Sequence, residues 1–186
     1  TVSGVERIGC IDLAIAFAYE GTDVGRGEED LDLFVTRHLL DDEVLLALPT
    51  GHALAGGGVI DIDQLRDETW IAGCPRCRGH LLSMCRSADF TPDVAFETED
   101  YVAVAGLVAA GLGVALIPDL IVRTAHHPDV VTTQVRPASK RQIVAVTTAD
   151  LERVPAVAAT LDALCEVAHS TALAPTFPSP ELDYYL

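Results

Sequence analysis

The stretch LVAAGLGVALIP, residues 107–118, places a predicted helix end directly before a predicted strand. The apolar run over residues 100–110 predicts a helix that stops at Gly111, because glycine is the commonest residue just past a helix end. Residues 114–117 then predict a short buried strand, which Pro118 stops. Gly111 and Gly113 follow a helix and precede a strand, the reverse of a dinucleotide-binding loop, so nucleotide binding is not predicted.

The same alternation extends along most of the chain. Residues 18–30 predict an exposed loop and residues 31–40 a short strand or turn. The remaining predicted strands are residues 8–17, 43–49, 69–73, 93–98, 130–135 and 142–147, and the remaining predicted helices are residues 61–66, 76–88 and 154–168. Strands alternating with helices predict an α/β fold with mostly parallel strands.

Composition narrows the classes of partner. The 186 residues carry 28 acidic and 12 basic side chains, a net charge of −16, which opposes binding to a nucleic-acid backbone. No apolar run reaches the roughly 18 residues of a membrane span, and no signal peptide is recognisable. The five cysteines are odd in number, and Cys10 and Cys165 lie in apolar runs, which favours free thiols and a cytoplasmic location.

The cysteine-rich stretch GCPRCRGHLLSMC, residues 73–85, admits three interpretations. A structural zinc site needs four ligands, usually as two pairs, and only one close pair is present, so no metal is predicted. A C-P-x-C at a helix start also resembles a glutaredoxin-type dithiol, whose thiolate the helix N-terminus and nearby arginines would favour. The favoured interpretation is a ligand-binding turn, in which backbone N–H groups and Arg76 and Arg78 hold an anion.

Two further turns contribute candidate ligand-binding residues. Thr98, Glu99 and Asp100 stand before the helix over residues 100–110, where they also suit a helix cap. Phe17, Ala18 and Tyr19 close the first predicted strand, and the carboxyl ends of strands in open α/β sheets point toward ligand crevices. No G-x-S-x-G elbow or other catalytic arrangement is recognisable, so the chain is not predicted to be an enzyme.

The order of several motifs resembles the effector-binding region of LysR-type transcriptional regulators. The motifs are DLAIAF, DEVLLALPTGHALA, DIDQLRDETWIAG and ADFTPDVAFETEDYVAVAGLVAAGLGVALIP, in that order along the chain. The resemblance implies a two-lobed fold like that of type 2 periplasmic binding proteins, with an effector cleft between the lobes. It places residues 1–69 and 147–170 in lobe 1, residues 70–146 in lobe 2 and residues 171–186 in a tail. It also implies that the first strand–helix unit of lobe 1 lies upstream of Thr1.

The resemblance implies a function for these turns. The strand-to-helix turns at residues 73–78 and 98–100 would line the cleft and bind a small effector without a cofactor, and Arg76 and Arg78 favour an anionic one. The chain would self-associate as a homodimer or tetramer, and it would meet DNA only through an N-terminal helix-turn-helix domain that this sequence does not contain. The predicted ligand-binding residues are Phe17, Ala18, Tyr19, Gly73, Cys74, Pro75, Arg76, Cys77, Arg78, Thr98, Glu99 and Asp100.

Two other classes of protein remain open at the level of sequence. A solute-binding protein of a transporter shares the same fold, although no export signal is visible here. A thiol-redox protein would use Cys74 and Cys77 directly.

Overall fold

A computed structural model describes residues 11–19 and 34–173 of the chain. The strands are β1 (Ala14–Tyr19), β2 (Phe34–Pro49), β3 (Ile60–Asp61), β4 (Thr69–Ala72), β5 (Asp93–Glu97), β6 (Val114–Pro118), β7 (Val130–Thr133), β8 (Val135–Arg136) and β9 (Ser139–Thr148). The helices are α1 (Pro75–Ser87), α2 (Tyr101–Ala109), α3 (Asp119–Thr124) and α4 (Pro155–Leu173), with 3₁₀ turns at Ile62–Leu65 and Leu151–Arg153.

The chain divides into two compact units, and the long strands β2 and β9 pass from one to the other. Unit 1 holds residues 1–41 and 142–186, and unit 2 holds residues 42–141. Residues 42–69 join unit 2 because the apolar side chains of β2 and the 3₁₀ turn, such as Leu48 and Leu65, pack in one buried cluster with Trp70.

In unit 2, the three strands β6, β4 and β5 are parallel and lie side by side, with β5 last in the strand order. β4 pairs in parallel with both β5 and β6, as the alternation of strands and helices predicts. β2 instead runs antiparallel to β6 and to β7, so the expectation of mostly parallel strands does not extend to this side of the sheet. β4 and β5 are parallel, and each is followed by a helix. The turns that begin those two helices therefore lie at the same edge of the sheet, the one formed by the carboxyl ends of the strands.

Neighbouring apolar side chains along the strands of unit 2 point to opposite faces of the sheet and form two buried apolar layers. Leu46, Trp70 and Val114 are buried on one face, where α1 packs against them through Leu81 and Cys85. Neighbouring strand residues such as Ala47, Ile71 and Ala115 are buried on the other face, against Val104 and Val108 of α2. Successive strand side chains point to opposite faces. The sheet therefore lies between α1 and α2.

In unit 1, β9 lies between β1 and β2, and α4 supplies the buried helix face. Ala145 of β9 packs with Val157 and Leu161 of α4, and all three are almost fully buried. The hydroxyl of Thr147 donates a hydrogen bond to the Asp12 carbonyl at 2.7 Å. These contacts attach the last helix to the strands of its own unit.

Most predicted elements are present, and two of them differ from the prediction. β2 is one strand of 16 residues rather than two separate segments, because its charged residues 41–43 are extended and do not form a turn. A short helix, α3, follows Pro118, where only a strand end was predicted. Residues 8–10 of the strand predicted over residues 8–17 lie outside the described residues, and so do residues 20–30 of the predicted loop, whose residues 18–19 end β1.

Candidate functional site

Two strand-to-helix turns meet at one edge of the unit 2 sheet. β4 ends at Ala72 and leads through Gly73 and Cys74 into α1, while β5 ends at Glu97 and leads into α2. The backbone N–H of Thr98 donates to the Ala72 carbonyl at 3.1 Å, which joins the two turns directly. This edge is the carboxyl end of parallel strands, the place where open α/β sheets bind ligands.

The side chain of Cys74 caps the helix that follows the first turn. Cys74 is the N-cap of α1, and its Sγ accepts a weak hydrogen bond from the Cys77 N–H at 3.4 Å. Pro75 occupies the first helical position, where its missing N–H has no intrahelical partner to lose, as predicted. Gly73 fits because a Cβ there would lie 3.1 Å from the Cβ of Cys77.

A thiol pair and a phenol lie together in this turn. The Cys74 and Cys77 sulfurs are 2.9 Å apart, and the Cys77 sulfur is 3.6 Å from the Tyr101 hydroxyl at the start of α2. Burial raises the pKa of Cys74, and a side-chain hydrogen bond with Cys77 raises it further. Burial, followed by the contact with Cys77, also raises the pKa of Tyr101. The expected thiolate-stabilising effect of the helix N-terminus is therefore outweighed at Cys74 by desolvation.

The two arginines of the turn differ in their surroundings. Arg76 is exposed at the second position of α1. Arg78 is half-buried and forms an ion pair with Glu97, with 2.5 Å between Nε and Oε1. The same Nε has no partner that meets hydrogen-bond geometry, so we interpret this contact as an attraction of charges rather than a directed bond. The charge of Arg78 is thus already shared with a carboxylate.

The Thr98 and Asp100 side chains of the second turn accept hydrogen bonds from nearby backbone N–H groups. Asp100 caps α2, and its Oδ1 accepts from the N–H groups of Val102 and Ala103 at 2.9 and 3.4 Å. The Thr98 hydroxyl accepts from the Asp100 N–H at 3.2 Å, and Glu99 is exposed. The α2 N-terminus is therefore already satisfied by a carboxylate, whereas α1 offers only a neutral sulfur as its cap.

Sequence reasoning missed a buried ion pair in unit 2. Asp42 of β2 and Arg141 of β9 are paired with 1% and 9% of their side chains exposed. Asp42 Oδ2 accepts from the Arg141 Nε at 2.8 Å, and Oδ1 accepts from the Leu120 N–H at 3.0 Å. The only sequence signal is a charge at the border of the apolar run that follows Asp42, and nothing marks Arg141.

A second missed contact links α1 to the start of β9. His80 Nε2 lies 2.6 Å from the hydroxyl of Ser139, which is buried. Burial lowers the pKa of His80, so the ring is held neutral and either nitrogen can carry its proton. The contact connects the helix that begins at the cysteine turn with the strand that carries Arg141.

A separate cavity of about 230 Å³ lies beside the same strand and contains none of the predicted binding residues. It is lined by Glu43, Val44, Leu45, Val59, Gln134, Val135, Arg136, Ala138, Ser139 and Lys140. Its size is below the usual range for ligand pockets. We therefore place the candidate site at the two turns and not at this cavity.

The other predicted binding residues lie in unit 1. Phe17 and Tyr19 of β1 form an edge-to-face ring pair with centroids 5.9 Å apart. Ala18 and Tyr19 are each only 4% exposed. In the ranges 11–19 and 34–173, no group of three or more metal-ligating side chains gathers at one point.

The sequence model of a protein family, described as the LysR substrate binding domain, matches residues 8–168. The chain belongs to this family. Curated relatives include the HTH-type transcriptional regulator AlsR of Bacillus subtilis, 36% identical over 78 residues that cover 40% of this chain and 26% of AlsR. The transcriptional dual regulator GltC of the same organism is 35% identical over 89 residues, 46% of this chain and 29% of GltC. The matches thus span less than a third of these relatives' own length.

Solved structures of LysR-family regulators share the fold. The regulatory domain of Synechocystis CcmR, in complex with 2-PG, superposes with a TM-score of 0.72 at 18% identity, covering 88% of this chain and 77% of that one. A putative LysR family regulator from Pseudomonas aeruginosa gives a TM-score of 0.69 at 22% identity, covering 88% and 59%. The predicted LysR effector-domain family and its type 2 periplasmic-binding-protein-like fold are confirmed. No helix in the described part of this LysR-family chain is long and apolar enough to cross a membrane.

Proposed function

We propose that this chain is the effector-sensing part of a LysR-type transcriptional regulator, and that the effector binds at the two turns of unit 2. One observation carries the location: the α1 and α2 turns converge at the carboxyl edge of parallel strands, joined by the hydrogen bond from Thr98 to Ala72. The curated relatives are transcription regulators, which favours this class over a transporter protein or a redox enzyme. The proposal assigns the chain no catalytic activity.

The chemistry of the turns favours a small ligand with an anionic end. Arg76 is exposed at the second residue of α1, on the positive end of the helix dipole. The α1 cap is a neutral sulfur, so an incoming carboxylate or phosphate meets no like charge there. Arg78 already pairs with Glu97, so an anion bound at Arg78 would take the place of that carboxylate.

The other end of the ligand meets different groups. Glu97 and Glu99 are exposed beside the second turn, and Tyr101 and the two thiols offer hydrogen-bonding groups. A ligand with a hydroxyl or ammonium group opposite its anionic end would satisfy both sides. Such a ligand biases the protein toward the conformation that binds it better, by no more than its difference in affinity.

Action on DNA belongs to the proposal as well. The chain is strongly acidic, so promoter binding would come from a helix-turn-helix domain in the longer protein. We propose that the regulator works in the cytoplasm as a homodimer or tetramer. Sedimentation of the purified chain would test the association, and a monomer at all concentrations would contradict it.

The ligand site can be tested with a defined panel of compounds. We would screen small mono- and dicarboxylates, hydroxy acids and phosphate esters by thermal shift, and then measure hits by calorimetry. A ligand at 100 times its Kd stabilises a protein by about 2.7 kcal/mol, which a thermal shift detects. We expect Arg76→Ala to weaken the best hit about tenfold or more, as for loss of a hydrogen bond to a charged group.

Arg86 provides a matched control, because it is an exposed arginine on the same helix, in its last turn. Arg86→Ala should leave the affinity unchanged. Equal affinities for wild type, Arg76→Ala and Arg86→Ala would place the ligand elsewhere. No hit from an anionic panel, together with hits from a neutral or cationic one, would overturn the assignment of an anionic end.

A further inference from the structure

The turn at residues 73–78, the cysteine turn, contains two thiols in direct contact. The proposed ligand binding does not require such a pair. The Cys74 and Cys77 sulfurs lie 2.9 Å apart, and a disulfide bond is about 2.05 Å long, so closure needs a movement below about 1 Å. Residues three apart at a helix start are neighbours on one face, so the backbone already presents both side chains to each other. We infer that Cys74 and Cys77 form a reversible disulfide by exchange with small-molecule disulfides.

Access and selectivity both favour this pair. Cys74 and Cys77 are partly exposed, so a small disulfide can reach them. Cys85 on the same helix is fully buried, and burial raises its pKa to about 11, which keeps it a protonated and inaccessible thiol. The chain therefore carries its own unreactive reference cysteine only eight residues beyond Cys77.

The exchange is balanced without any further reactant. The thiolate of one cysteine attacks a small disulfide RSSR, which forms a mixed disulfide and releases RS⁻. The second cysteine loses its proton, its sulfur attacks the first, and a second RS⁻ leaves. The protein loses two protons and two electrons, and RSSR gains them as two RSH. Because the pKa of Cys74 is raised, we expect the reaction to accelerate as the pH rises above neutral.

Closure changes the groups that the turn presents. The Cys77 thiol can no longer donate to the Tyr101 hydroxyl, and the Cys74 sulfur that caps α1 becomes part of the bond. If the effector binds at this turn, oxidation should alter its affinity. That consequence rests on the proposed function, whereas the disulfide itself does not.

The test uses the purified chain in glutathione buffers of increasing oxidised fraction. Free thiols are then alkylated, and the cysteines are mapped by mass spectrometry without reduction. We expect a linked peptide joining Cys74 and Cys77, present in most molecules in the oxidising buffers and lost on adding dithiothreitol. Cys85 should carry the alkyl group throughout.

Single substitutions separate the pair from other thiols. Cys74→Ser and Cys77→Ser should each give only a mixed disulfide with glutathione, while Cys85→Ser should retain the link. Thermal unfolding checks that each variant is folded. If a variant does not fold, the cysteine map of the wild-type chain decides the inference by itself. Alkylated Cys74 and Cys77 under all buffers, or a link from either to another cysteine, would overturn the inference. Because the map needs no effector, its outcome is independent of the proposed ligand site.

Discussion

Replacement of Asp42 by asparagine tests the buried ion pair of unit 2. The carboxylate accepts hydrogen bonds from the Arg141 Nε at 2.8 Å and from the Leu120 N–H at 3.0 Å, and the Arg141 Nη2 lies 2.8 Å from Oδ2. An asparagine of the same shape loses the negative charge and turns one acceptor into an NH₂ donor that faces another donor. Removing one partner of a buried pair costs about 3–5 kcal/mol, because the remaining charge stays desolvated.

The assay is equilibrium unfolding in urea, followed by circular dichroism. With a slope of about 2 kcal/mol/M, the expected loss lowers the midpoint by roughly 1.5–2.5 M. The matched control is Asp150→Asn, because Asp150 and Arg153 form a pair at 3.5 Å whose side chains are 95% and 79% exposed. Such an exposed pair contributes little, so no change in the midpoint is expected there.

A double replacement distinguishes charge burial from simple packing. Asp42→Leu with Arg141→Met removes both charges and should recover part of the stability that Asp42→Asn loses, because apolar side chains leave no charge desolvated, while the Leu120 N–H still loses its acceptor. A loss below about 1 kcal/mol for Asp42→Asn, or a double variant less stable than it, would refute the reasoning.

Three further predictions concern single positions. Gly113→Ala should cost about 1–3 kcal/mol in urea unfolding, because its Cβ would lie 2.7 Å from the Thr69 carbonyl oxygen. In α2, a Cβ added at Gly106 would meet no atom within 4 Å other than its chain neighbours and its own helix backbone. Gly106→Ala should therefore gain about 0.5–1 kcal/mol, and the same sign for both substitutions would contradict the structure. Burial lowers the pKa of His80 below 6.5, so the unfolded chain binds the proton more tightly and stability should fall as the pH drops below 6.5. His80→Gln should flatten that decline in urea midpoints, and an unchanged profile would exclude His80 as its source. Asp100→Ala removes the α2 cap and should cost about 1 kcal/mol, measured the same way, with a cost near zero counting against the cap.

The local elements were predictable because their signals are local. Pro75 at the first position of α1, Gly111 after α2 and the alternating apolar residues of the strands each act within a few residues. The continuity of β2 was not predictable in the same way. Its charged middle interrupts the apolar pattern, yet residues 41–43 lie inside one continuous strand, whose residues 44–47 pair with the distant strand β6.

The candidate site was also predictable only in part. The sequence by itself determined which turns carry the polar and thiol groups, since a strand end followed by a helix start fixes residues 73–78 and 98–100 near one sheet edge. Only the tertiary structure decided that Cys77 meets Tyr101, that Arg78 is engaged by Glu97 and that Asp42 pairs with Arg141 across 99 residues. Side-chain partners and desolvation depend on which distant segments pack together, and no local pattern records that.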